Sequence, residues 1–333
     1  MNPVYASEVY LRNKAIHEQT CAEITYPKRM YVIKDEDGDV QFVNKTDVAH
    51  YFLTDYLEPG VQFAPSNKNE RFIDQWLEDP DRLVCEKVVV DPASPLGPTP
   101  MGYNLWTGFA ASKLPPVQDA EVEELVRVMV RHINDVYAGA NNERRTIWLL
   151  NWLAHQVQFP QTRHGVGVVM YGESMTGRGI LARFHRMVLG SDTSYHAKFG
   201  RKYRHLESTL VGDAGKIFVQ VKTQPQQVKR VSVLLAKRTV DFKRKFFSTT
   251  QVANLTNLYV TTDVEKDFRF YSDDGRFAVF NVNPMYKANH AYFDQMWEHL
   301  NRPEVQRAWY QFLMARDLSQ FQVGSLPPPL DAA

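Results

Sequence analysis

Two cysteines in 333 residues, Cys21 and Cys85, are too few for a disulfide framework or a cysteine metal site. A chain so poor in cysteine fits a reducing compartment. No apolar run is long enough to span a bilayer, so no membrane role is expected. The opening residues, MNPVYASEVYLRNK, lack the apolar core of a signal peptide, which points to the cytoplasm or nucleus. Neither charge is in excess. The 39 Lys and Arg against 38 Asp and Glu leave a net +1, so any affinity for nucleic acid has to come from local clustering. No short-period repeat is present. What remains is 44% hydrophobic and 23% charged, an ordinary globular composition with length enough for two or three lobes.

The chain is organised around Val166 to Phe184, VGVVMYGESMTGRGILARF. Val166, Val168, Val169, Met170 and Tyr171 suit a buried parallel strand. Ile180, Leu181, Phe184, Met187 and Val188 recur at helical spacing. Between them Gly172-Glu173-Ser174-Met175-Thr176-Gly177-Arg178-Gly179 keeps the frame of a phosphate-binding loop, G-x-x-x-x-G-K-[ST], with Arg178 in the lysine place and Gly179 in the hydroxyl place. Such a loop aims backbone N–H groups and a helix N-terminus at phosphate oxygens. The cradle residues are thus Gly172, Gly177, Arg178 and Gly179. The two side chains that serve phosphate and Mg²⁺ have both changed.

Upstream, residues 1–118 form an α+β segment. Tyr31–Ile33 and Val40–Val43 flank a hairpin turn at Asp37-Gly38. Thr46 is placed to cap a helix over 47–53. Phe72, Ile73, Trp76 and Leu77 share a helix face, and 83–90 makes a third strand. Pro92, Pro95, Pro98 and Pro100 mark a connector. Trp106 and Phe109, within NLWTGFA, offer apolar area for packing rather than a catalytic group. The pattern predicts amphipathic helices over 120–137 and over 146–159, the latter with Ile147, Leu150, Leu153, Ala154 and Val157 inward. His155 on that helix is expected to be packed or solvated rather than a ligand. Helices follow over 285–300 and 303–318, and 325–333 is a proline-rich end expected to fray.

NLWTGFA, a helix, LLNWLAHQVQFP, then a strand and G-x-x-x-x-G-x-G, in that order, resemble the helicase half of viral, phage and plasmid primase-helicases, within the superfamily 3 helicases. The resemblance runs from about Phe72 to Asn283. It implies an α/β fold with a P-loop, AAA+-like three-layer core over 119–283, preceded by the α+β segment and followed by a helical tail over 284–333. Members of that family assemble as hexameric rings and unwind DNA using ATP, so the resemblance implies a ring of identical subunits, and ATP with Mg²⁺ only where the altered loop still binds them.

Against that family this chain has lost parts. Arg178 keeps the charge of the lysine but not its compact shape. The strand that normally ends in acids to hold Mg²⁺ reads Lys216-Ile217-Phe218-Val219-Gln220-Val221-Lys222-Thr223, with Val221 and Lys222 about where the acids belong. Thr262 falls near the polar sensor position. Of the paired arginines that the family presents to a neighbouring subunit, only Arg276 remains, either as an arginine finger or as a strand-flanking surface residue. From Arg201 to Lys245 there are twelve Lys and Arg against three Asp and Glu. The cluster ends at Lys243-Arg244-Lys245 beside Phe246 and Phe247, where the family places a DNA-contacting hairpin. Charge plus base stacking suits single-stranded nucleic acid, while a solvated, charge-protected edge is the alternative. The expectation is a helicase-derived P-loop module without ATP hydrolysis that binds nucleic acid or protein. An active ATP-dependent helicase and an effector that binds a protein partner are the alternatives.

Overall fold

A computed structural model of the chain describes residues 3–26, 28–34, 40–52, 71–138, 142–191, 193–197, 218–222, 233–242 and 250–329. The chain forms two compact units, the first running to Thr107 and the second from Gly108 on, apart from the segment 243–250.

In the first unit, α1 (Glu8–His17), β1 (Cys21–Ile24), β2 (Met30–Lys34), β3 (Val40–Val43), α2 (Lys45–Tyr51), α3 (Phe72–Glu78) and β4 (Val84–Cys85) build a sheet ordered β3-β2-β1-β4 with helices. β2 and β3 pair antiparallel as expected. Tyr10, Phe72, Ile73, Trp76 and Leu77 belong to one buried cluster, and Ala22, Ile24, Val32 and Tyr103 to another. Glu23 is fully buried in β1 and is held by Arg29 at 2.6 Å and Arg82 at 2.5 Å, the pairing that a buried carboxylate requires. Helix α2 starts two residues earlier than expected, because the carboxamide of Asn44, not Thr46, accepts the backbone N–H groups of Thr46 and Asp47.

The expected strand over 83–90 is two short ones in different sheets, β4 and β5 (Val88–Val89). The proline stretch is not a bare connector. It carries β6 (Gly97–Thr99), which pairs with β7 (Gly102–Asn104) at the edge of a sheet ordered β5-β7-β6, where a proline costs no ladder bond on its open side. Asn104, fully buried, pins the stretch. Its amide donates to the carbonyls of Asp91, Ser94 and Pro95, and its oxygen accepts the N–H of Asp91.

The second unit begins with α4 (Asp119–His132), which passes into one π-helical turn at Ile133–Tyr137, and α5 (Glu143–Gln158). β8 (Gly167–Tyr171), α6 (Ile180–Leu189), β9 (Ser194–Ala197) and β10 (Phe218–Lys222) follow. β11 (Thr239–Phe242) and β12 (Thr250–Ala253) pair as a separate ribbon. Then come β13 (Asn257–Thr262), α7 (Glu265–Asp273), β14 (Phe277–Asn281), α8 (His290–Leu300) and α9 (Pro303–Met314). The five-stranded sheet is ordered β14-β8-β13-β10-β9, and every pair in it is parallel. The apolar runs expected as central strands supply its three inner strands, β8, β13 and β10, with residue 217 outside the described residues. All six residues of β13 are buried, the pattern of a strand covered on both faces.

Helix α9 packs against α4, α5 and α6, so the C-terminal helices share the core of the sheet's own unit. Ile147, expected inward on α5, is instead 43% exposed, while Trp148, Leu149 and Trp152 take the inner face. The chain end is held rather than frayed over its described part: Arg145 donates to the carbonyl of Pro328 at 2.9 Å and to that of Val279 at 2.6 Å. Among the described residues no helix is long and apolar enough to cross a membrane.

Candidate functional site

Gly172–Gly179 leaves the C-terminal end of β8 and enters α6. Most of its carbonyls accept hydrogen bonds, from the loop itself or from the chain around it. Gly172 O accepts from Arg178, Glu173 O from the Thr176 hydroxyl, Met175 O from the N–H of Ala288, Gly177 O from the Tyr137 hydroxyl and Arg178 O from the Tyr259 hydroxyl. Its amides are left. None of the backbone N–H groups from Glu173 to Gly179 donates to another described residue. Amides without an acceptor among the described residues, at the start of a helix, are the arrangement that favours an anion.

Gly177 has φ +87°, and a Cβ there would lie 2.9 Å from Phe293 and 3.1 Å from the His132 ring. The ring behind it is locked. His132 Nδ1 meets the Tyr292 hydroxyl at 2.9 Å and Nε2 meets the Tyr137 hydroxyl at 3.2 Å. Burial holds His132 neutral, its pKa lowered to about 4. Tyr259 and Tyr137 are likewise buried, their hydroxyls pushed above the ordinary tyrosine range by desolvation. Segment 284–293 braces the loop from the other side through Lys287, which pairs with Glu173, and through Ala288.

Arg178 is turned into its own loop. Its side chain is 10% exposed, one guanidinium nitrogen donating to Gly172 O and the other to Asp263 Oδ2 at 2.9 Å. The Ser174 hydroxyl donates to the same carboxylate oxygen at 3.2 Å. Asp263 follows directly on β13, which lies beside β8, so strand adjacency brings it to the loop. Thr262, expected near the sensor position, donates its hydroxyl to Asp267 at 3.2 Å and caps the N–H of Val264. The signal for Asp263 was present only as a charged residue directly after a buried strand.

A Cβ at Gly179 would meet Gln220 Nε2 at 3.6 Å. Gln220, on β10, therefore stands beside the place where a metal-binding hydroxyl would project. Its carboxamide oxygen meets Arg186 at 3.4 Å. A neutral amide and a missing hydroxyl are poor ligands for Mg²⁺, which calls for oxygen ligands with carboxylate among them. Gly179 and Gln220 do not fit the ion. Among the described residues no group of three or more His, Cys, Asp or Glu is arranged to hold a metal.

Arg276 lies just before β14, its carbonyl accepting the N–H of Gly167 at the start of β8, so it is at the opposite end of the sheet from the loop. It pairs with Asp274 at 2.6 Å. Lys243, Arg244 and Lys245 fall between the strands of the β11–β12 ribbon and lie outside the described residues. His155 is packed, with the rings of His164, Phe159 and Phe321 around it, and burial lowers its pKa.

No family model matches the chain, and no curated protein matches it. Its fold is shared with solved structures of the NrS-1 C-terminal region. The apo structure aligns at a TM-score of 0.67 and 16% identity, over 96% of this chain and 71% of that one. An A-form apo structure gives 0.66 and 17% over the same shares, and another gives 0.63 and 17% over 89% and 66%. At such identities the likeness is one of fold.

Proposed function

We propose that this chain is a helicase-derived P-loop module that has lost ATP hydrolysis and serves as a nucleic-acid- or protein-binding protein. The observation that carries the reading is the Gly172–Gly179 loop, with its amides open and its cation, Arg178, tied to Gly172 and Asp263. The strand order supports an AAA+-like core. Numbering the strands from β8, the sheet reads 5-1-4-3-2, with the loop on strand 1 and Gln220 on strand 3.

Hydrolysis fails on this reading because phosphoryl transfer is catalysed mainly by placed charge. The loop retains one cation, already paired, and offers Mg²⁺ no carboxylate at Gln220. A missing electrostatic contact of this kind costs on the order of 10²–10³ in rate. The basic tip at Lys243-Arg244-Lys245 is the proposed contact for single-stranded DNA, and a ring of identical subunits the proposed assembly.

The test is Mg²⁺-dependent ATP turnover, with and without single-stranded DNA. Background rates are expected in both. Turnover above background that Arg178→Ala abolishes would restore the active-helicase reading.

A further inference from the structure

We propose that the Arg178–Asp263 pair is an internal latch on the glycine-rich loop, and that the ligand it yields to is a polyphosphate free of Mg²⁺. The inference rests on the reading of Gly172–Gly179 as a phosphate cradle and specifies how that cradle is regulated. Arg178 is the loop's own cation, and its guanidinium is already satisfied on both sides, by a loop carbonyl and by a carboxylate. An incoming phosphate has the same charge sign as Asp263 and competes with it for one planar donor fork. Asp263 therefore opposes the ligand twice, as a competitor for Arg178 and as a like charge at the mouth. Ser174 follows Asp263, donating to the same oxygen, so the latch also draws a loop side chain toward the carboxylate.

The second half of the inference comes from the misfit with Mg²⁺. Where the ion would be held, Gly179 brings no hydroxyl and Gln220 brings a neutral amide. Mg²⁺ bound to a polyphosphate removes negative charge that the open amides and Arg178 would otherwise attract. Gly179 and Gln220 return no ligand for the ion. The metal-free anion is then the better ligand, the reverse of the order set by a loop that shares its metal with the nucleotide.

The experiment is calorimetric titration of the full chain with inorganic triphosphate, in EDTA and in excess Mg²⁺, for the wild type, Asp263→Asn and Arg178→Ala. Thermal melts establish that each variant is folded. Binding in EDTA is expected to tighten about tenfold in Asp263→Asn, the scale of one charge-assisted contact, and to be lost in Arg178→Ala. Mg²⁺ is expected to weaken binding by the wild type. Equal or weaker binding by Asp263→Asn, with the wild type binding normally, overturns the latch and leaves the cradle standing. Tighter binding in Mg²⁺ overturns the metal-free claim. No binding by any folded variant removes the cradle itself.

Discussion

Gly177 shows how a loop residue is fixed from behind rather than from the ligand side. Its φ of +87° disfavours any side chain, and Phe293 and His132 fill the space a Cβ would take. Gly177→Ala combines left-handed backbone strain with overpacking, and a loss of roughly 2–4 kcal/mol is expected in denaturant unfolding. Phe293→Ala in the same background should return part of that loss, since the nearer clash is with a ring edge. Additive penalties would show that Phe293 does not set the constraint. Arg178 and Asp263 carry the opposite lesson. The sequence shows an arginine where a lysine belongs, but not that the arginine is already occupied, because its partner is 85 positions away and meets it only through the pairing of β8 with β13.

At the level of elements, β8, β10 and β13 were legible because each is an apolar run suited to a covered parallel strand. β9, Ser194–Ala197, was not, because SYHA at the sheet edge has no apolar pattern to announce it. The β6–β7 pair was hidden by prolines that read as a connector, and only the five hydrogen bonds of the Asn104 side chain explain their order. In sequence, Lys243-Arg244-Lys245, the proposed nucleic-acid contact, lie between β11 and β12 and outside the described residues. Replacing all three with Ala removes up to about three phosphate contacts, at about 0.7 in log–log salt slope for each on single strands. The slope of single-stranded DNA binding should flatten by roughly 2, with stability unchanged. Filter binding at two salt concentrations measures it, and equal slopes would move the contact elsewhere.

Across the whole molecule, buried neutral histidines set a floor on acid stability. Burial lowers His17 and His132 to about 4 and His164 to about 3. The folded-state values lie below the ordinary histidine value, so on acidification the unfolded chain takes up protons first. Stability is therefore full above about pH 6.5 and falls as pH drops toward 4, by about 1.4 kcal/mol per pH unit for each such histidine. Urea midpoints at pH 7.5 and 5.5 should differ accordingly, and a flat profile would show that these rings are solvated.

The central claim is that the loop is a phosphate cradle without metal chemistry, and an experimental structure with a non-hydrolysable ATP analogue and Mg²⁺ tests it most directly. The account expects the phosphates on the amides of residues 173–179, Arg178 released from Asp263, and no ion between Gly179 and Gln220. An octahedral Mg²⁺ held between the phosphates and Asp263 would contradict it.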